Sequence, residues 1–210
     1  MTLEERIRDG AARMQIALAP GAIARLAAYL QLLEKWNRVH NLTAVRETER
    51  MVVLHLLDSL SILPHVGDAR SLIDVGSGGG LPGIPIAIAR PEISVTLLDS
   101  SSKKTTFLEQ ARAELGLANA NVVCARVEQW HGGTFDVVVS RAFAELGEFV
   151  TQAQHLVAPG GRMLAMKGVY PFDEIGRLPS THRVAEVTEL HIPELDAKRH
   201  LVFVERAKAA

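Results

Sequence analysis

The chain has 210 residues, 48% hydrophobic and 22% charged, with a formal net charge of −1. A chain of this size and balance buries a core of its own, so it is neither a disordered tail nor a scaffold held by disulfides. Its single cysteine, Cys124, excludes a disulfide framework and any cysteine-cluster metal site, and its near-zero charge excludes a globally basic nucleic-acid coat. No apolar run nears the roughly 20 residues that span a bilayer. Met1 to Arg8 carries Glu4 and Glu5 and leads into no apolar stretch, so no signal peptide, no membrane partner and a cytoplasmic location are expected.

In chain order, the first 65 residues read as helical. Ile23, Leu26, Leu30, Leu33 and Trp36 recur at three and four over residues 20–36, and the pattern loosens at 37–43. A second helix is expected over 47–63, with Met51, Leu54, Leu57 and Leu60 as its stripe and Pro64 and Gly67 as its stop. From Arg70 the rhythm changes. Strands are expected at 71–75, 93–98, 121–124, 135–140, 161–166, 184–190 and 200–205, and helices at 86–90, 103–115 and 145–157. Strands alternating with helices make an α/β fold, a mostly parallel sheet covered on both faces. The last two strands are too close for a helical crossover, so they form an antiparallel pair at one edge. The expected organisation is an N-terminal helical segment, 1–65, packed on an α/β domain, 66–210.

The segment after the first strand, Asp74-Val75-Gly76-Ser77-Gly78-Gly79-Gly80-Leu81-Pro82-Gly83-Ile84-Pro85, is the most informative. Glycines between a buried strand and a helix remove side chains where a ligand approaches the backbone. An acid precedes the first glycine, and the pattern Asp-x-Gly-x-Gly-x-Gly resembles motif I of the S-adenosylmethionine-dependent methyltransferases, a Rossmann-like fold. A cofactor that is cationic at its reactive end tolerates a nearby carboxylate, whereas a dinucleotide turn must accept a pyrophosphate. Gly78-x-Gly80-x-x-Gly83 also matches the dinucleotide spacing, which keeps an oxidoreductase open. Asp99, at the end of the second strand, suits both ribose hydroxyls of an adenosine, or the start of the next helix. After the third strand, Val127 and Glu128 lie where the adenine edge would pass. Arg141 follows the fourth strand, at the crevice end of a buried sheet.

The acceptor is narrowed by what is missing. Amino-group methylation of bases goes with an Asn/Asp-Pro-Pro-aromatic loop after the fourth strand, and the chain has Ser140-Arg141-Ala142-Phe143 there. Cytosine C5 methylation needs a cysteine nucleophile, and Cys124, inside Val122-Val123-Cys124, is expected to be inert core. Guanine N7 carries a lone pair and no proton, so its alkylation needs positioning rather than a general base.

Trp36-Asn37-x-x-x-Asn41-Leu42-Thr43-Ala44, His55-x-x-Asp58-Ser59-Leu60 and the segment from Asp74 to Pro85 together resemble the bacterial guanine-N7 methyltransferases of small-subunit rRNA, the RsmG or glucose-inhibited division protein B family. Leu98-Asp99-Ser100, Lys103-Lys104, Phe107-Leu108, Ser140-Arg141-Ala142 and Met166-Lys167-Gly168 extend the likeness over nearly the whole chain. Leu81 departs from it, since an aromatic residue is frequent there. The resemblance implies methyl transfer from S-adenosylmethionine to N7 of one guanine of 16S rRNA, free or in a small-subunit precursor, by a monomer. It implies cofactor contacts at Gly76, Leu81, Val127, Glu128 and Arg141, to which the residue pattern adds Asp74, Gly78 and Asp99. No catalytic base and no metal are implied; Arg141 and Lys167 are positioning candidates. RNA-binding candidates are Arg38, His40 and Arg46 at the junction of the N-terminal helices, Lys103 and Lys104 at a helix start, and Lys167. His55 and Asp58, three apart on a helix, are placed to bond each other. A small-molecule methyltransferase would share the core without a basic rim, and a non-catalytic S-adenosylmethionine sensor would share the pocket.

Overall fold

The computed structural model describes residues 1–141, 143 and 145–207. Ala142, part of the motif after the fourth strand, lies outside the described residues. The N-terminal part holds α1 (Leu3–Arg13), α2 (Ala22–His40), α3 (Thr48–Met51), a π-helical stretch Val52–Leu57, α4 (Asp58–Leu60) and α5 (Leu63–Val66). There follow β1 (Ser71–Val75), α6 (Gly83–Ala89), β2 (Ser94–Asp99), α7 (Ser102–Glu114), β3 (Ala120–Cys124), a 3₁₀ turn Val127–Gln129 and β4 (Phe135–Ser140). The chain closes with α8 (Leu146–Ala153), β5 (Val157–Lys167), α9 (Phe172–Gly176), β6 (His182–Glu189) and β7 (His200–Arg206).

The sheet order is β3-β2-β1-β4-β5-β7-β6. β1 to β5 are mutually parallel, and β7 runs against both its neighbours. The antiparallel C-terminal pair is therefore at the edge, as expected, with β7 as its inner member and β6 outermost. Four of the five β1 residues are buried, which is what a central parallel strand covered on both faces requires. One core cluster joins α2 and the π-helical stretch to α6, α7 and one sheet face, through Leu26, Leu33, Leu56, Ile84 and Phe107. A second packs α8 on the other face, through Phe149, Val150, Ile73 and Val138. No helix is long and apolar enough to cross a membrane among the described residues.

Several boundaries moved for local reasons. α2 runs past Trp36 to His40 and stops at Asn41, which takes the left-handed conformation (φ 50°, ψ 52°) that asparagine tolerates at a helix end. α7 ends as expected: Gly116 has φ +63°, and the Leu117 and Gly116 N–H groups donate back to Arg112 and Ala113. Pro64 opens α5 rather than ending the helix before it. β5 begins at Val157, so Pro159-Gly160-Gly161 sits within the strand, where the pairing register with β4 slips. Cys124 is exposed rather than buried core, because β3 is an edge strand.

Candidate active site

A cavity of about 490 Å³ opens beyond the carboxyl ends of β1, β2 and β3, lined among others by Gly76, Asp99, Lys104, Val127, Glu128 and Phe143. Of the glycine turn, Gly76 lines it and Gly78 does not. The Gly76 and Ser77 N–H groups both donate to the Leu98 carbonyl, at 2.8 and 3.0 Å, tying the turn to the end of β2. Gly76 (φ +74°) and Gly78 (φ +57°) are left-handed, and a Cβ on Gly76 would point into open space. Gly83 serves differently: a Cβ there would lie 2.2 Å from Leu97 Cδ2 and 2.8 Å from Asp74 Oδ2, so its absence lets α6 close on the sheet.

Asp74 lies beneath this turn, fully buried, and does not line the cavity. Its Oδ2 accepts the Gly83 N–H at 2.9 Å, and its Oδ1 has no hydrogen-bond partner among the described residues. Burial pushes its carboxyl up to about 7, against the lowering effect of the Gly83 hydrogen bond. Asp99 is 5% exposed; its Oδ2 accepts the Gly78 N–H and its Oδ1 the Ser101 N–H, both at 2.9 Å. It thus braces the turn and the start of α7 while lining the cavity. Lys104 Nζ stands 3.6 Å from Asp99 Oδ2, which makes it part of the cavity wall. Val127 is buried in the 3₁₀ turn, and Glu128 is exposed beside Arg126 at 3.9 Å. Leu81 is 5% exposed within the core and is not on the cavity wall.

A second cavity, of about 360 Å³, lies on the other side of the β4 end, where Arg141 lines it two residues before Phe143 lines the first. Asp58, 3% exposed, sits on its wall between two guanidinium groups: Arg141 Nη1 at 3.1 Å from Oδ2 and Arg199 Nε at 3.1 Å from Oδ1. Arg141 also donates to the Leu54 carbonyl at 3.1 Å. Burial pushes the Asp58 carboxyl up while Arg141 and Arg199 pull it down. His55 does not bond Asp58; its Nε2 meets Thr43 Oγ1 at 2.8 Å, since the π-helical stretch turns the two side chains to different partners. Burial, reinforced by the Arg141 charge, pushes His55 down to about 4 and keeps it neutral. Asn37 holds the junction of the N-terminal helices against this cavity: its Oδ1 accepts the Thr43 N–H at 2.9 Å, and its Nδ2 donates to the carbonyl of Val45, a lining residue.

The family described as rRNA small subunit methyltransferase G (GidB) matches residues 22–202. The chain belongs to this family. A member from Neisseria meningitidis, named ribosomal RNA small subunit methyltransferase G, is 52% identical over 206 residues, covering 98% of this chain and 100% of that one. One of the same name from Laribacter hongkongensis is 55% identical over 203 residues, covering 96% and 98%. Among solved structures, a SAM-dependent methyltransferase from Aquifex aeolicus superposes with a TM-score of 0.60 at 17% identity, covering 82% of this chain and 97% of its own. An O-methyltransferase from neocarzinostatin biosynthesis, solved with S-adenosylmethionine, gives 0.55 at 16%, covering 66% and 49%. At such identities the likeness is one of fold, the methyltransferase sheet.

Of the remaining residues singled out from the sequence, Lys167 lines one cavity of this GidB-family fold, whereas Lys103, Arg38, His40 and Arg46 line neither. Lys167 lines the second cavity, with its Nζ 2.7 Å from Glu174 Oε2 and 3.3 Å from the Phe143 carbonyl. Lys103 is exposed at the start of α7. Arg38 pairs with Glu34 at 2.7 Å on an exposed helix face, His40 packs on Trp36 with ring centroids 4.8 Å apart, and Arg46 is exposed with no ion pair among the described residues. Arg199 and His200, at the start of β7, were not singled out, yet both line the second cavity. Arg199 reaches Asp58 across 141 positions of chain, so no local pattern announces it.

Proposed function

We propose that this chain transfers the methyl group of S-adenosylmethionine to N7 of one guanine in 16S rRNA, free or in a small-subunit precursor, as a cytoplasmic monomer. It is an S-adenosylmethionine-dependent methyltransferase of its family. In this reading residues 66–210 form the catalytic domain and 1–65 a helical segment packed on it.

One observation supports the reading best. Two cavities flank the end of β4, the first with Gly76 open to a ligand and the buried acid Asp99 on its wall, the second with two cationic side chains set around Asp58. The first fits the cofactor. Its volume suits a ligand of that size, Gly76 leaves space where a side chain would stand, and Asp99 offers carboxylate oxygens at the cavity wall. Asp99 would hold the ribose, the backbone around Val127 and Glu128 the adenine edge, and Gly76 and Gly78 the amino-acid end, above the buried charge of Asp74. S-adenosylmethionine, when bound, supplies an electrophilic methyl group.

The second cavity then receives the guanine. N7 attacks with its own lone pair, so no side chain has to take a proton. Arg141, fixed by Asp58 and the Leu54 carbonyl, orients the base, and Lys167 stands beside it. The neutral His55 adds no positive charge near a base that gains one on methylation.

The test is mass spectrometry of 16S rRNA nucleosides from cells with and without the protein. Loss of one 7-methylguanosine is expected in its absence; an unchanged nucleoside profile refutes the assignment. In parallel, S-adenosylhomocysteine should raise the melting temperature by mass action while NAD does not.

A further inference from the structure

Among the described residues five large hydrophobic side chains are exposed, and three of them fall within four positions: Val169 (77%), Tyr170 (39%) and Phe172 (75%). Such clustering needs a reason, because scattered apolar residues are ordinary and adjacent ones are not. The Tyr170 and Phe172 rings lie 4.2 Å apart at 37°, and Tyr170 stands edge-on to His200 at 5.6 Å. The segment leaves the second cavity directly, since Lys167, Gly168 and His200 line that cavity.

It is also held in place. Glu174 Oε2 accepts from Lys167 Nζ and from the Leu146 N–H, both at 2.7 Å, which pins α9 to the start of α8. None of the α9 residues is buried, so Phe172 is not fastening that helix to a core.

We propose that Tyr170 and Phe172 form a stacking platform for an unpaired RNA base beside the guanine that enters the second cavity. The proposal rests on the function proposed above. A base drawn out of a strand leaves its neighbours without a stacking partner, and exposed aromatic faces replace it in proteins that read single-stranded RNA. Arg199, which lines the same cavity and is about one-quarter exposed, suits a phosphate of the same strand. Three exposed apolar residues are too few for a stable protein interface, which takes roughly 20–30 residues a side.

The experiment measures methyl transfer to small-subunit particles from cells lacking this activity, for wild type, Phe172→Ala and Phe172→Trp. Phe172→Ala should raise KM for the particle roughly 5- to 150-fold, the range of one base–aromatic stack. The slope of KM with salt should stay unchanged, because no charge is removed. The melting shift with S-adenosylhomocysteine should also be unchanged, and Phe172→Trp should restore KM. An unaltered KM, a loss confined to kcat, a tryptophan variant no better than alanine, or a change of oligomeric state on light scattering overturns the platform. If wild type methylates no rRNA, the proposed function fails and the platform with it; if wild type is active and Phe172→Ala equals it, only the platform fails.

Discussion

Replacing Asp74 with asparagine should make the ligand-free protein more stable at alkaline pH. The carboxyl is fully buried, one oxygen has no partner, and burial lifts it from 3.8 to about 7. A group whose pKa is raised in the folded state keeps its full contribution to stability below the unfolded value and loses it as pH rises toward the folded one. Between pH 5 and pH 8 the native protein sheds stability through this group by about 2.5 kcal/mol, at roughly 1.4 kcal/mol per tenfold in proton binding. Asparagine keeps the acceptor for the Gly83 N–H and has no charge to bury, so the variant lacks this loss. Urea denaturation of both proteins at pH 5, 6, 7 and 8 isolates the effect, because every other titrating group cancels in the difference. The gap should widen in favour of the variant as pH rises, by about 5–10 °C if followed as melting temperature. A gap that stays constant with pH refutes the reasoning. If the Asp74 charge acts on the bound cofactor as proposed, S-adenosylhomocysteine should stabilise the variant less than wild type.

Gly83→Ala, whose Cβ meets Leu97 and Asp74, should cost about 1–3 kcal/mol in thermal or chemical denaturation. Gly78→Val should still fold, at a cost of about 1–2 kcal/mol for a side chain at φ +57°, but lose the melting shift with S-adenosylhomocysteine. Asp58→Asn leaves Arg141 and Arg199 without their anion; each is about three-quarters buried, so a loss of about 2–3 kcal/mol is expected by urea denaturation at pH 7, less than a fully buried pair would give. Lys103→Ala should flatten the salt dependence of RNA binding by about one counterion, whereas Lys104→Ala should also weaken cofactor binding, since Lys104 lines the first cavity.

Strands and the glycine turn were legible because their signals are local. β1 and β4 fall where apolar runs and turn residues put them, and the segment from Asp74 to Pro85 forms the glycine turn that its own spacing announces. What escaped reading depends on contacts far along the chain. The π-helical stretch Val52–Leu57 has the same apolar stripe as an α-helix, and only its packing decides which carbonyl each N–H finds. Cys124 reads as core from its neighbours, but the sheet order leaves β3 at an edge. Arg199 is one more charged residue before a strand until β7 carries it to Asp58. Of the site, the half built from consecutive residues was visible and the half built across the sheet was not.

The place of β7 sets an order on how the molecule is made. β7 sits inside the sheet, and β6, though synthesised earlier, is paired only to β7. While residues 200–206 are still unmade, β5 carries an open side and β6 has nothing to pair with. The half that surrounds the glycine turn is complete in sequence by then. The nascent protein can therefore assemble its β1–β4 side first, while β5 keeps an open side and β6 stays unpaired until residues 200–206 are made. A chain cut short before Arg199 loses both the closure of the sheet and a cation paired with Asp58, so residues 199–206 complete the sheet and the wall of the second cavity together.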